Sequence, residues 1–269
     1  MPLPVSNVNV HRNRVADQIV DDLRGQILSG VIEDGARLPS ERDLASQYGV
    51  SVPTVREAVR VLSAMGLLNA RNGSRATVRA DGSFLLAMSI ASVVQFDGAG
   101  AVDVIGLLRM LNVYAVELAV ESATDIEIAE LVDAAENSAE HPDIGSSAEA
   151  VIQFFTTLSR ISHNPVVAAL CRVLTEFQIG LAVELSQGNR RGWIRLAGTM
   201  HGQRMEIAGA IANRDKPLAM NLIRQYHDVV LERLHTAPVV KQVRRNDPAL
   251  SKFLSSWLSA NVRVGARLH

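Results

Sequence analysis

The sequence predicts a mainly α fold in two unlike parts, an N-terminal winged helix-turn-helix followed by a C-terminal all-α helical bundle. Three observations predict it. Across residues 11–79 the apolar pattern passes from helical spacing to two short runs around a glycine-containing turn, whereas beyond Asp81 helical spacing continues almost unbroken. Composition agrees: 48% of the 269 residues are hydrophobic but only 11 are aromatic, which favours helices rich in Ala, Leu and Val. Charge is also segregated. Residues 1–80 carry ten arginines against eight acids, residues 81–235 eleven basic against nineteen acidic groups, and residues 236–269 six basic against one acidic. The formal net charge of −1 therefore conceals a weakly basic head, an acidic middle and a basic tail. The near-neutral total, taken alone, argues against a nucleic-acid partner; the partition removes that objection.

The elements follow in order. Val15, Ile19, Leu23 and Ile27 recur four apart, the stripe of an amphipathic helix from Arg14 to Leu28 that Gly30 ends. Gly35 and Pro39 mark a loop. Ser40 with Asp43 three residues on resembles a capping box for a short helix to about Tyr48, which Gly49 breaks. Ser51 has the character of an N-cap, and Pro53 fits the first turn of the next helix, where N–H groups are spare. That helix buries Val55, Ala58, Val59 and Leu62 and stops at Gly66. Residues 67–70 and 76–78 read as two short strands joined by a turn at 71–75. Helices are expected near 83–96, 102–121, 125–140, 147–162, 165–187, 191–213 and 216–235, the fifth beginning firmly at Asn164-Pro165. The division is thus 1–80, 81–236 and a basic extension, 237–269, with an amphipathic segment at Leu250, Phe253, Leu254, Trp257 and Leu258.

Several classes of function are excluded or disfavoured. A lone Cys171 rules out an internal disulfide framework and a cysteine-rich zinc site, and its apolar helical surroundings suit an inert buried thiol. No phosphate-binding glycine loop, zincin pair or nucleophile elbow is present, so an enzyme is not expected. No signal peptide and no window of 18 uninterrupted apolar residues is visible, so a soluble cytoplasmic protein without a membrane span is expected.

A helix-turn-helix places the first turns of its second helix in the major groove. Here that helix is expected to turn Ser51, Val52, Thr54, Arg56 and Arg60 away from its apolar stripe. Arg56 has the fork to read guanine O6 and N7 or to clamp a phosphate; Arg42 suits either. Arg71 and Arg75 flank Gly73 in the wing, with Arg79 behind, a set suited to a minor groove or to phosphates. The alternative for each arginine is an ordinary solvated surface.

Leu38-Pro39-Ser40-Glu41-Arg42-Asp43-Leu44-Ala45, followed by Gly49-Val50-Ser51-Val52-Pro53-Thr54-Val55-Arg56-Glu57-Ala58, resembles the DNA-binding domain of GntR-family transcription regulators over residues 12–79. The resemblance implies a homodimer on a short palindrome of double-stranded DNA, with contacts at Arg42, Thr54, Arg56 and around Gly73. Two positions depart from the family: Val52 stands where an arginine is common, and Arg75 where a second glycine is usual. Operator sequence therefore does not transfer.

The helical part resembles the FCD effector domain of the FadR branch. The similar segments are Leu118-Ala119 with Ala123-Thr124-Asp125, Leu158 through Asn164-Pro165, and Ala210-Ile211 with Asp215. Such domains typically hold a divalent metal through one Asp and three His. The same register places Val151, Phe155, Arg204 and Tyr226 at those four positions, with His227 adjoining Tyr226 and His201 one turn before Arg204. No metal or other cofactor is therefore expected. An apolar site with Arg204 suits an amphipathic acid such as a fatty acid or acyl-CoA, and the family's carboxylate-binding arginine falls at Leu108 or Arg109. Val151 and Phe155 as plain core packing remain the bland alternative. The function expected is a ligand-responsive regulator, acting as a repressor. The alternatives are a metal-dependent FCD-type sensor of a small carboxylate, or a helical lipid-binding protein without DNA. The extension is expected to dock on the acidic domain of its own or the partner subunit, with a membrane surface or DNA as the other options.

Overall fold

The computed structural model describes residues 10–69, 75–79, 83–97, 99–139, 141–186, 190–236 and 253–257, and its chain divides into two compact units, with the sequence boundary between Leu85 and Leu86. The first holds α1 (Val10–Leu28), α2 (Glu41–Tyr48), α3 (Val52–Ala64), β1 (Leu68–Asn69) and β2 (Thr77–Val78). Ile19, Leu23 and Ile27 of α1 meet Val55, Ala58, Val59 and Leu62 of α3 in one core, as the four-residue spacing requires. Asp43 N–H donates to Ser40 Oγ and Ser40 N–H to Asp43 Oδ2, both at 3.2 Å, so the capping box forms. Gly49 closes α2 at φ +64°, in the left-handed region that favours glycine. β1 and β2 pair antiparallel, with Leu68 opposite Val78 and Asn69 opposite Thr77. The segment expected as plain loop adds to this wing: Leu38 N–H donates to Ala76 O at 2.8 Å and Val78 N–H to Ala36 O at 2.8 Å.

Every regular element among the second unit's described residues is a helix. α4 (Ser83–Ser92) runs into a π-helical turn at Val93–Asp97, then come α5 (Ala101–Ser122), α6 (Asp125–Glu136), α7 (Ile144–Arg160), α8 (Pro165–Leu185), α9 (Arg190–Ala212) and α10 (Lys216–Thr236). Helix starts carry side-chain caps: Thr124 with Glu127 for α6, Asp143 for α7, and Asn164 accepting from Val166 and Val167 N–H for α8. One core joins α5, α6, α7, α9 and α10 around Phe154, Phe155, Leu158, Ile207, Ile211 and Ile223. A second joins α4, α5 and α8, and here the extension reaches its own chain. Residues 253–257 form a helical turn whose Phe253 and Trp257 rings both lie 5.3 Å from Phe177 of α8. Residues 237–252 and 258–269, including Leu250 and Leu258, lie outside the described residues.

α8 is long and apolar enough to cross a membrane by composition, with mean hydropathy 1.7 over Pro165–Glu184. Its Cys171, Leu174, Phe177 and Leu181 are buried in the second core, the ordinary use of such a helix in a packed bundle.

Candidate DNA interface and effector site

The N-terminal face is built on α2 and α3. Arg42 is exposed on the first turn of α2, and Arg56 is half exposed on α3. Their neighbour Glu41 holds Arg56: Nε and Nη2 donate to Glu41 Oε2 at 3.0 and 2.9 Å. The pair holds the guanidinium in one orientation. Arg60 is exposed and pairs loosely with Glu57 at 3.6 Å. Arg75 is exposed in the wing and its charge helps to hold the Asp43 carboxyl below its ordinary range, after the larger effect of hydrogen bonds from Ser40. Arg71 and Gly73 lie outside the described residues.

Two expected contacts sit differently. Thr54 is 6% exposed, so it does not stand on the solvent face. It directly precedes Val55 at the edge of the apolar stripe, and its hydroxyl shares a 2.8 Å hydrogen bond with Ser51 Oγ instead of projecting outward. Val52 is half buried and packs on the N-terminal core, which leaves only part of the side chain to meet a base. Ser51 remains exposed at the N-terminus of α3.

In the helical unit, Phe155, Arg204, Tyr226 and His227 converge, although they come from three different helices. The Phe155 ring lies 5.2 Å from Tyr226 and 5.9 Å from His227. Arg204 is 1% exposed; its Nε donates to Ser138 Oγ at 2.7 Å and its Nη2 to Ser138 O at 2.8 Å, and it also hydrogen-bonds the Tyr226 side chain. Val151 lies one turn before Phe155 in the same core. Arg109 is not among them. It lies on the outer side of α5, where Nε and Nη2 grip Asp228 at 2.7 and 3.3 Å, while Leu108 is the buried neighbour.

Sequence reasoning missed Asn112 and Ser138. Asn112 is fully buried on α5 and its Nδ2 lies 2.9 Å from His227 Nε2. Burial, then the charge of Arg109, brings the His227 pKa down to about 3, so the ring is neutral. With Nδ2 donating, Nε2 is the bare nitrogen and Nδ1 carries the proton. His227 Nδ1 and Asn112 Oδ1 are both buried without a hydrogen-bond partner among the described residues. Such groups cost free energy, and ligand sites are where they are retained. An amide one turn from Leu108 on an apolar helix face was the available signal.

These residues do not fit the metal of FCD domains. Val151 and Phe155 offer no donor atom, burial raises the Tyr226 phenol so that it stays protonated, and Arg204 is itself a cation. A divalent ion about 5 Å from a guanidinium is repelled by roughly 7 kcal/mol at an effective dielectric of ~20. His201 Nδ1 lies 3.4 Å from Ser138 Oγ, the hydroxyl that holds Arg204. No group of three or more His, Cys, Asp or Glu is placed to hold a metal among the described residues.

Comparison with known proteins agrees with this architecture. Residues 15–78 match the family model of bacterial regulatory proteins, gntR family, and residues 103–229 match the FCD domain. The HTH-type transcriptional repressor NanR of Klebsiella aerogenes is 28% identical over 209 residues, covering 76% of this chain and 79% of that protein. NanR of Salmonella schwarzengrund is 26% identical over 228 residues, covering 83% and 86%. The structure of Streptococcus agalactiae GntR shares the fold at TM-score 0.57 and 21% identity, covering 81% of this chain and 99% of that one. The chain belongs to the gntR family of bacterial regulatory proteins, as a transcription regulator, and not an enzyme, in which a GntR helix-turn-helix domain precedes an FCD domain.

Proposed function

We propose that this regulator is a cytoplasmic homodimeric repressor that grips a palindromic operator and releases it when an amphipathic acid enters the FCD domain. The observation that carries the effector reading is a guanidinium, Arg204, held at 1% exposure among Phe155, Tyr226 and the apolar core. A buried guanidinium is kept charged by its hydrogen bonds, and a carboxylate whose chain lies against Val151 and Phe155 would add to them. A fatty acid or acyl-CoA has that chemistry. For the head, support comes from Arg42, Arg56 and Arg75, all exposed on the elements that a helix-turn-helix turns to DNA. The relatives named as repressors support the direction of control. For the homodimer, Leu107, Met110 and Tyr114 form an exposed apolar stripe along α5, 45%, 68% and 46% exposed.

A shorter acid with a hydroxyl or carbonyl group is a second reading, favoured by His227 Nδ1 and Asn112 Oδ1, which lack a hydrogen-bond partner among the described residues. Mass spectrometry of small molecules released by denaturing the purified protein separates the two. Dodecanoate or dodecanoyl-CoA is then titrated against the protein bound to an operator selected from random oligonucleotides. Release of DNA supports the lipid-like effector; release by the co-purified polar acid alone supports the second reading, and no release by either refutes both.

A further inference from the structure

Asn112 and His227 are polar side chains set in apolar packing. Asn112 lies on the buried face of α5 between Leu108 and Val116, and the His227 ring on α10 lies 5.9 Å from Phe155 and 5.5 Å from Tyr226. Both residues are fully buried, and Asn112 Nδ2 is 2.9 Å from His227 Nε2.

That hydrogen bond leaves one donor and one acceptor unspent, whichever way it is made. With Nδ2 donating, Asn112 Oδ1 is left to accept, and the proton of the neutral ring sits on Nδ1, which is left to donate. With the amide turned over, Oδ1 accepts from Nε2–H, so Nδ2 is left to donate and the bare Nδ1 to accept. As the side chains stand, Asn112 Oδ1 and His227 Nδ1 have no hydrogen-bond partner among the described residues. Burial keeps the ring neutral, so no second proton alters the count.

Joining α5 to α10 does not require this pair. Arg109 and Asp228, three residues and one residue along the same helices, already clamp them, with Nε donating to Oδ1 at 2.7 Å. Replacing both members of a buried polar pair by apolar groups of the same shape is close to neutral or stabilising, whereas an unmet donor and acceptor cost free energy. A ligand that supplies the missing partners offsets that cost.

We propose that Asn112 and His227 form a hydroxyl-recognition pair, so that the effector is a hydroxylated carboxylic acid. This rests on the effector-site reading above and narrows its second form. A hydroxyl both donates and accepts through a single oxygen, so it supplies what each unspent group lacks. A carbonyl or carboxylate only accepts and an ammonium only donates, so either leaves one member of the pair unmet. The pair thereby separates acids that Val151 and Phe155 accommodate alike: a deoxy analogue occupies the same apolar surroundings but strands a buried donor and acceptor.

The test titrates the full chain, dialysed free of small molecules, in a calorimeter. The probes are 2- and 3-hydroxybutyrate against butyrate, and 2- and 3-hydroxydodecanoate against dodecanoate. One hydroxylated acid is expected to bind at least about tenfold more tightly than its deoxy partner. Asn112→Leu and His227→Phe, each made separately, are expected to remove that preference. Equal or tighter binding of the deoxy acids, with Phe155→Leu changing the affinity, overturns the proposal and leaves the effector site standing; the pair then holds a water only. A preference that persists in folded Asn112→Leu and His227→Phe also overturns it. Binding of none of the acids, or binding that Phe155→Leu leaves unchanged, overturns the site reading and the proposal with it. If neither pair variant folds, the preference of the wild-type chain and its response to Phe155→Leu decide alone.

Discussion

Replacing Arg56 with alanine tests the DNA-facing half of the molecule. In the free protein its guanidinium is held by Glu41 through two contacts at 3.0 and 2.9 Å, with side chains 52% and 36% exposed. A pair this exposed contributes only about 0.2–1 kcal/mol. A bidentate arginine–guanine contact discriminates by about 1–3 kcal/mol, so reading a base outweighs any loss of the Glu41 pair. Arg56→Ala is therefore expected to weaken operator binding by roughly 5–150-fold while barely changing affinity for unrelated DNA. Fluorescence anisotropy on both DNAs at several salt concentrations gives the answer. If Arg56 reads a base, the salt slope is unchanged; if it clamps a phosphate, the slope falls by about one and both DNAs lose affinity alike. Unchanged operator affinity refutes the assignment. Glu41→Gln separates two roles: tighter binding means the pair must open before Arg56 reads DNA, and weaker binding means Glu41 aims the guanidinium in the complex.

Three further outcomes are expected. Trp257→Ala deletes a 5%-exposed ring packed on Phe177, for a cost of about 3–5 kcal/mol limited by whatever holds residues 253–257 in place. Adding Phe253→Ala should then cost little more in urea unfolding, and full additivity refutes docking as one unit. Met110→Glu charges the exposed α5 stripe and is expected to yield a monomer in analytical ultracentrifugation; an unchanged dimer places the interface elsewhere. His227 protonates near pH 6.5 in the unfolded chain but at about 3 in the folded one, so its contribution to stability is full above pH 6.5 and is lost as pH falls towards 3. Between pH 8 and 5.5 this amounts to about 1.4 kcal/mol, which His227→Gln should remove from the pH dependence of unfolding; identical pH dependence in both proteins counts against a neutral buried ring.

Elements and their ends were legible in the sequence because their causes are local. Caps at Ser40, Thr124 and Asn164, the stop at Gly49 and four-residue apolar spacing act within a turn or two of chain. The helices predicted at 125–140 and 147–162 run instead from Asp125 to Glu136 and from Ile144 to Arg160, shifts of two to four residues at ends where caps and fraying compete. The family resemblance also drew Val151, Phe155, Arg204 and Tyr226 into one group, and the structure brings these residues into one core.

What tertiary structure decided is which helix faces meet. Periodicity marks Thr54 as an edge residue without saying that Ser51 holds its hydroxyl inside. It marks Arg109 and Asn112 as neighbours one turn apart on α5. Only packing against α10 sends Arg109 to Asp228, 119 residues away, and Asn112 to His227, 115 residues away. A 3.6-residue repeat tells one face from another but names no partner; that choice belongs to contacts between distant segments, made by shape and burial. The sequence by itself determined a GntR-type reading head and a helical sensor without the usual metal ligands. The packed bundle alone turned one of the replacements, Arg204, into an anchored buried cation, because Ser138 and Tyr226 reach it only in the fold.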